Sequence, residues 1–324
     1  MRENREEWYQ KWEAQTRSRL LVYITGDRKN AEAQITEDVI PLLAGHLEKM
    51  GDIPDLSLFL YTRGGSTSAA WTIIHLLRMY TKKLRVIVPY KAQSAGTIIC
   101  LGADEIWMTR QAVLGPIDPS VNTALNPRLP DGSSTFPVSV EQVHGFLDFA
   151  REELHIQNET ALKDLYAGLS EYVHPLVLGQ VYHSNRQIPR MADSLLSGKI
   201  PDPGVRNRTV SFLCGEAGSH DYTIARREAE DLGLPIVCPP PEIYGLITEI
   251  YEDIRQELLL DVAFGQEEYG SGSYLVKKCL LESLVGGTDE YVMEGDSSFA
   301  FGDNGSSALV NNTILFEGWR HREW

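Results

Sequence analysis

The sequence predicts an α/β fold, a mainly parallel sheet with helices on its faces, and three observations predict it. Short apolar runs rich in β-branched and aromatic residues, Leu20–Thr25, Leu56–Thr62, Leu84–Pro89 and Asp104–Met108, alternate with stretches of helical periodicity, which is the pace of βαβ units. The first run is apolar throughout rather than alternating, as a strand covered on both faces is. Small residues, Gly64-Gly65 and Ser94-Ala95-Gly96, stand where strands give way to helices, the usual punctuation of such junctions.

Each element has its own signal. Residues 1–18 read as a helix, because Trp8, Tyr9 and Trp12 recur at a spacing of three to four among Arg and Glu; alone it would be marginal, so it is expected to dock on the body or on a second subunit. The strand from Leu20 ends at Gly26-Asp27, and a helix over 35–50 follows with Ile40, Leu43, Leu47 and Met50 on one face. After Gly64-Gly65, Ser66 starts a helix that carries Ala70, Ile73, Ile74 and Leu77 inward, and Ser94 opens another through Cys100. Residues 122–138 form a polar loop of Asn, Pro, Gly and Ser, a candidate flap. From Glu141 to Leu196 the pattern is helical, with breaks expected at His174-Pro175 and Ile188-Pro189. The βα rhythm resumes with a strand at Val210–Cys214, continues through Ala225–Leu234 and Ile236–Cys238, and meets Pro239-Pro240-Pro241. A helix from Ile243 to about Leu260, with Ile243, Ile247, Ile250 and Ile254 as its packing face, precedes a tail of short strands rich in Gly and Asp over 266–324. The domain reading is an N-terminal helix over 1–18, a core over 19–245 with a helical insertion at about 122–209, and a C-terminal helix with an irregular or β extension over 246–324.

Composition excludes several classes of function. With 324 residues, 43% of them apolar and 23% charged, the chain can bury a sizeable core and is no disordered polymer. Its net charge of −15 and its lack of a basic, aromatic-interleaved stretch argue against nucleic acid as the main partner. No stretch approaches the ~18 apolar residues of a membrane span, and the charged N-terminus lacks the apolar region of a signal peptide; a cytoplasmic location is expected. Cys100, Cys214, Cys238 and Cys279 form no CxxC pair and are expected to be reduced thiols in or near the core. The eight histidines show no metal-ligand spacing, so neither a metal nor a cofactor is expected.

The chemistry is expected at two βα junctions. At Tyr61-Thr62-Arg63-Gly64-Gly65-Ser66 two glycines leave backbone N–H groups uncovered. At Lys91-Ala92-Gln93-Ser94-Ala95-Gly96 a hydroxyl stands among small residues at the start of a helix. Each has a plain alternative: Gly-Gly as a tight turn, Ser94 as an N-cap. Their pairing in consecutive units is the stronger signal, because ligand sites of parallel sheets lie at the carboxyl ends of the strands. A serine there can attack a carbonyl while the neighbouring N–H groups hold the developing oxyanion.

The order Thr62-Arg63-Gly64-Gly65, Ala92-Gln93-Ser94-Ala95-Gly96, Asp104-Glu105-Ile106 and Leu114-Gly115-Pro116-Ile117-Asp118-Pro119 resembles the serine dehydrogenase proteinase family. That family is a branch of the group holding the Clp protease proteolytic subunit, signal-peptide peptidase A and the crotonases. The resemblance runs over about residues 18–245, and Ser219-His220-Asp221-Tyr222 with Glu228-Ala229 and Leu232-Gly233-Leu234 extends it. It implies a Clp protease/crotonase-like spiral of βαβ units. It also implies Ser94 as nucleophile, an oxyanion hole from Gly64 or Gly65 with Ala95, and Asp221 as the residue that orients the base.

One departure bears on mechanism. The Clp subunit carries its basic histidine in a His-x-Pro after the serine helix, where this chain has Ile117-Asp118-Pro119. Three replacements follow: His220 beside Asp221, a lysine (Lys163 or Lys199) as in the Ser-Lys dyad of signal-peptide peptidases, or Asp118 as an orienting group. His220 and Asp221 also read as local capping residues, Asp118 as a turn residue before proline, and the lysines as solvated side chains. His174 and His183 read as ordinary surface residues, and Phe316–Trp324 as an unstructured end or a segment docked on a neighbour.

These expectations add up to a cytoplasmic serine peptidase that hydrolyses peptides or unfolded protein segments through an acyl-enzyme on Ser94, without a cofactor. The insertion would roof its cleft. The resemblance implies a homo-oligomer, a trimer or hexamer, and leaves room for an unidentified partner protein. A catalytically inactive oligomeric scaffold of the same fold is the alternative, and an acyl-CoA enzyme of the crotonase type is a third reading that no basic phosphate pocket supports.

Overall fold

Seven residues, Arg19–Thr25, form the first strand, β1, and six of them are buried, which is why Leu, Val, Tyr and Ile follow one another there without polar alternation. The computed structural model describes residues 2–118, 120–128, 135–217, 221–265, 271–301 and 307–324. The chain divides into two compact units, one of residues 1–114 and 225–324, the other of residues 115–224.

In the first unit, helix α1 (Arg2–Thr16) precedes β1; a 3₁₀ turn and α2 (Ile40–Met50) follow it, then β2 (Ile53–Tyr61), α3 (Thr67–Tyr80), β3 (Thr81–Val88), β4 (Lys91–Ala92), α4 (Ala95–Leu101), β5 (Glu105–Met108) and β6 (Val113–Leu114). The second unit supplies β7 (Ser120–Val121), β8 (Val138–Ser139), α5 (Val140–Asp148), α6 (Glu159–Tyr172), α7 (Pro175–Leu196) and α8 (Pro203–Ser211), and β9 (Ile224–Ala225) lies where the chain leaves it. Helix α9 (Arg226–Asp231), β10 (Ile236–Val237), α10 (Pro241–Glu257), β11 (Gly272–Ser283), β12 (Gly287–Phe301) and β13 (Ser307–Arg322) complete the first unit.

Its sheet has the order β10-β5-β3-β2-β1-β11-β12-β13. The pairs from β10 to β1 are parallel, with Leu21, Leu58, Val86, Ile106 and Ile236 in one register row. Those from β1 to β13 are antiparallel. The class is mixed α/β, as expected. Parallel neighbours send their carboxyl ends to one edge of the sheet; the Gly64-Gly65 turn follows β2 there, and Ser94 follows β4, which belongs to a separate three-stranded sheet of order β4-β6-β9.

The buried stripe of α10, with Ile243, Ile247, Ile250 and Ile254, meets Tyr9 and Trp12 of α1 in one core cluster. Trp12 tilts against Trp107 at 6.2 Å, and Tyr9 meets Trp324 edge-on at 5.8 Å. The N-terminal helix therefore docks on its own chain, and each fully buried aromatic ring contributes about 2–3 kcal/mol toward holding it. Inside the same contact Arg5 is buried among Asp253, Glu257 and Glu282.

Three expectations are corrected. The segment Val210–Cys214 is helical, not a strand: α8 begins at its N-cap Asp202 with Pro203 in the first turn and continues into a π-turn over Phe212–Glu216. A five-residue apolar run carries no period of its own, and the cap decides. Helix α7 passes through Pro189 without ending, because Val177, Val181, Ile188, Met191, Ala192, Leu195 and Leu196 bury one continuous face that outweighs the lost backbone bond. The polar loop starts after β7 and runs into β8, with Val121 paired to Val138 across its base. The tail beyond 266 forms long strands, of which β11, β12 and β13 have 12, 15 and 16 residues, and the C-terminal Trp324 donates from Nε1 to the carbonyl of Ser283.

Candidate functional site

The two junctions are stitched together. Thr62 pairs with Ala92 as an isolated parallel bridge; its N–H donates to the carbonyl of Lys91 and its carbonyl accepts from Gln93 N, each at 3.1 Å. Its methyl Cγ2 packs where a side chain on Gly96 would have to go, 2.4 Å from a β-carbon built there. Small residues flank Ser94 because the neighbouring strand end occupies the space.

Ser94 itself is held in an unusual conformation. It stands between β4 and α4 with φ +52° and ψ −115°, a backbone state that side chains other than glycine rarely adopt. It does not act as a side-chain N-cap, so the plain alternative for this residue does not hold. The residue is 6% exposed, and among the described residues its hydroxyl has no hydrogen-bond partner. A serine placed under strain at a sharp strand-to-helix turn is the geometry of a nucleophile elbow.

Gly64 and Gly65 both have positive φ, +119° and +146°, and neither position has room for a side chain. A β-carbon on Gly65 would meet the N and O of Ile35 at 2.4 Å, and one on Gly64 would meet Ser94 Cβ at 2.8 Å. The glycine turn is further fixed by Ile35, whose N–H donates to the Gly64 carbonyl at 2.9 Å and whose carbonyl accepts from Ser66 N at 2.8 Å. The amide of Gly64 is occupied, since it donates to Thr62 Oγ1 at 2.9 Å. The amides of Gly65 and Ala95 have no such partner among the described residues, and two unused donors beside a serine hydroxyl are what an oxyanion requires.

Near the same strand ends, Asp27 accepts from Tyr61 Oη at 2.5 Å and from Lys91 Nζ at 2.6 Å. Tyr61, Tyr90 and Tyr251 group around them, with the Lys91 ammonium 5.1 Å from the Tyr90 ring and 5.5 Å from that of Tyr61. Burial, with the Asp27 carboxylate, pushes the Tyr61 phenol far above its ordinary range. Neither this cluster nor the hydrogen-bonded Thr25–Thr62 hydroxyl pair was expected from spacing, because their members come from segments far apart in the chain, Tyr251 from α10 among them; the one sequence signal was Thr62 inside the Thr62–Gly65 motif.

Asp118 lies in the second unit, where its carboxylate accepts from Ser139 Oγ at 2.6 Å and from Glu141 N at 3.3 Å, the stabilising position for an anion at the start of α5. Lys163 is exposed on α6, and Lys199 donates to the carbonyl of Leu195 at 2.7 Å at the end of α7. Asp221 is in an exposed turn, and His220 lies outside the described residues. His174 caps α7, and His183 is exposed. All four cysteines are free; burial pushes the Cys214 thiol up to about 12 and raises Cys100 and Cys279 well above the ordinary thiol range, so these three are poor nucleophiles.

A buried Ser–His–Asp arrangement occurs elsewhere in the first unit. His46 Nδ1 is 2.7 Å from Ser283 Oγ and His46 Nε2 is 2.9 Å from Asp289 Oδ2. Ser283 is fully buried, and its hydroxyl also accepts from Gly286 N at 3.0 Å. Fully buried, this triad ties α2 to the β11–β12 hairpin, and no substrate carbonyl reaches a hydroxyl closed off in that way.

Residues 41–129 match the family of ClpP-like SDH-type serine proteinases. That span contains Gly64, Gly65, Ser94, Ala95 and Asp118, and it is the family the two junction motifs resemble. Two uncharacterized proteins of Methanocaldococcus jannaschii are similar: one is 41% identical over 204 residues, 62% of this chain and 58% of the relative. The other is 29% identical over 202 residues, 62% and 60%. The matches thus span about three fifths of those relatives' own length. Among solved structures, a lysine mutant of the 1510-N membrane-bound stomatin-specific protease in complex with a substrate peptide is 16% identical with a TM-score of 0.40, covering 69% of this chain and 78% of that one. ClpP1 from Listeria monocytogenes is 13% identical with a TM-score of 0.38, covering 72% and 98%. Among the described residues no helix is long and apolar enough to cross a membrane.

Proposed function

We propose that the chain is a serine peptidase in which Ser94 forms an acyl-enzyme with a peptide or an unfolded protein segment. The observation that carries this reading is the strained backbone of Ser94 beside the unused amides of Gly65 and Ala95. Ser94 Oγ attacks the carbonyl carbon, the carbonyl oxygen takes the negative charge within reach of the two amides, and the amine leaves with the proton taken from the hydroxyl. Water then repeats the sequence on the ester. His220 is the proposed base and Asp221 its orienting partner, with Lys163 or Lys199 the competing bases. An imidazole base gives a rate that rises with a midpoint near ~6.5, and a lysine base gives a higher one. The reading includes a cytoplasmic location and a homo-oligomer.

The test is labelling with a fluorophosphonate and hydrolysis of casein or a peptide library by wild-type protein, with Ser94→Ala as control. Labelling that disappears in Ser94→Ala supports the peptidase. Wild-type protein that stays unlabelled and leaves every substrate intact removes it. That result would favour the other reading, an inactive oligomeric scaffold, for which the observation is that the Ser94 hydroxyl contacts no base among the described residues.

A further inference from the structure

We infer that Thr62 is a positioning residue for the oxyanion hole, holding the Gly64–Gly65 turn in place through its side-chain hydroxyl; this rests on the peptidase reading above. Thr62 is wholly buried at the end of β2, two residues before the glycines, and touches both junctions at once. Its Oγ1 accepts from the Gly64 amide at 2.9 Å and from the Thr25 hydroxyl at 2.6 Å. Its own hydroxyl proton has the Gly64 carbonyl as its acceptor, at 3.4 Å. Its main chain holds Lys91 and Gln93 on the serine side, and Cγ2 fills the space above Gly96.

A strand end needs none of this for its own sake. The consequence falls on Gly65. With φ above +100° at both glycines, the turn has no side chain to lock it, and glycine gives up more conformational freedom than any other residue on being ordered. The Thr62 hydroxyl and the Ile35 backbone supply that order from opposite ends. By consuming the Gly64 amide, Thr62 also decides which of the two glycine amides is left for a ligand. The Thr25 hydroxyl, buried and aimed at Thr62 Oγ1, extends the arrangement to β1.

Thr62→Val keeps the shape and removes the acceptor, Thr62→Ser keeps the acceptor, and Thr25→Val removes only the donor behind it. Two measurements are made on the full chain. In peptide hydrolysis, Thr62→Val is expected to lower kcat about 10- to 100-fold with KM nearly unchanged, since an ångström of displacement at an oxyanion donor costs that much. Thr62→Ser should recover most of it, and Thr25→Val should fall between. In hydrogen exchange, the Gly64 amide should exchange about tenfold faster in Thr62→Val and return to the wild-type rate in Thr62→Ser. A Thr62→Val protein with wild-type kcat and wild-type exchange at Gly64 overturns the inference. Absent hydrolysis by the wild-type protein sinks the peptidase reading alone, and exchange then decides the role of Thr62. Should Thr62→Val fail to fold, Thr25→Val carries both measurements.

Discussion

Gly64 and Ser94 face each other across a gap that admits no side chain: a β-carbon on Gly64 would lie 2.8 Å from Cβ of Ser94 and 3.3 Å from its Oγ. Gly64→Ala therefore does two things at once. It places a methyl against the Ser94 side chain, and it forces a side chain into a backbone state at φ +119°. Fluorophosphonate labelling of Ser94 is expected to fall by about a hundredfold, and folding stability by about 1–3 kcal/mol. Labelling at the wild-type rate would mean that the contact between the two turns does not govern the site.

The strain at Ser94 gives a second expectation. Ser94→Ala removes the hydroxyl and keeps a β-carbon at φ +52°, whereas Ser94→Gly removes both. Both variants lose labelling, and the glycine variant should be the more stable by about 1 kcal/mol, compared by urea unfolding. Equal stability, or a more stable alanine variant, would mean that the turn carries no strain.

The buried Ser283–His46–Asp289 triad separates arrangement from access. Burial works to raise the Asp289 carboxyl, and the hydrogen bonds from His46 and His321 outweigh it and hold it below the ordinary range. His46→Ala leaves Ser283 and Asp289 short of a partner in a closed interior and is expected to cost about 2–4 kcal/mol of stability. Labelling at Ser94 should proceed unchanged. If Ser283→Ala abolished labelling while Ser94→Ala left it intact, the nucleophile would be assigned to the wrong serine.

The parallel half of the sheet was legible because its strands are apolar on both faces, so Leu21, Leu58, Val86 and Ile106 announce themselves without needing a partner. The serine and glycine turns were legible for a related reason: close packing of Thr62 on Gly96 and of Gly64 on Ser94 demands small residues, and small residues are visible in the sequence. The β11–β13 half was not. Its buried positions include Glu282, Asp289 and Glu290, whose partners Arg5, His46 and Lys277 lie on other elements, so the alternation that marks a strand is hidden under charge. Ion pairs and hydroxyl contacts between distant segments, Arg5 with Glu282 or Thr25 with Thr62, have no spacing to read.

Pro189 shows the cost of a feature the helix overrides. In α7 it deprives the Asn185 carbonyl of its helical donor. Pro189→Ala restores that donor and loosens the unfolded chain, for a net gain of about 1–2 kcal/mol. A higher thermal midpoint checks it, and an unchanged or lower one would show that the ring is needed for packing.

The charged contact beneath α1 makes stability depend on acid. Burial works to raise the Glu257 carboxyl, and the Arg5 guanidinium and the Lys277 ammonium outweigh it and hold it at about 2 against an ordinary 4.5. A carboxyl whose folded value is depressed stabilises the fold above its unfolded value and loses that contribution as pH falls toward the folded one. The loss should therefore run from about pH 5 down to about pH 2 and amount to about 3 kcal/mol. Glu257→Gln should be less stable at pH 7, where the wild type has the full contribution, and should lose less on going to pH 2. Urea midpoints measured at pH 7, 5, 3 and 2 for both proteins decide it. Parallel curves would mean that Glu257 is not what ties α10 to Arg5 of the N-terminal helix, and the buried pairs of Arg5 with Asp253 and Glu282 would then hold that contact alone.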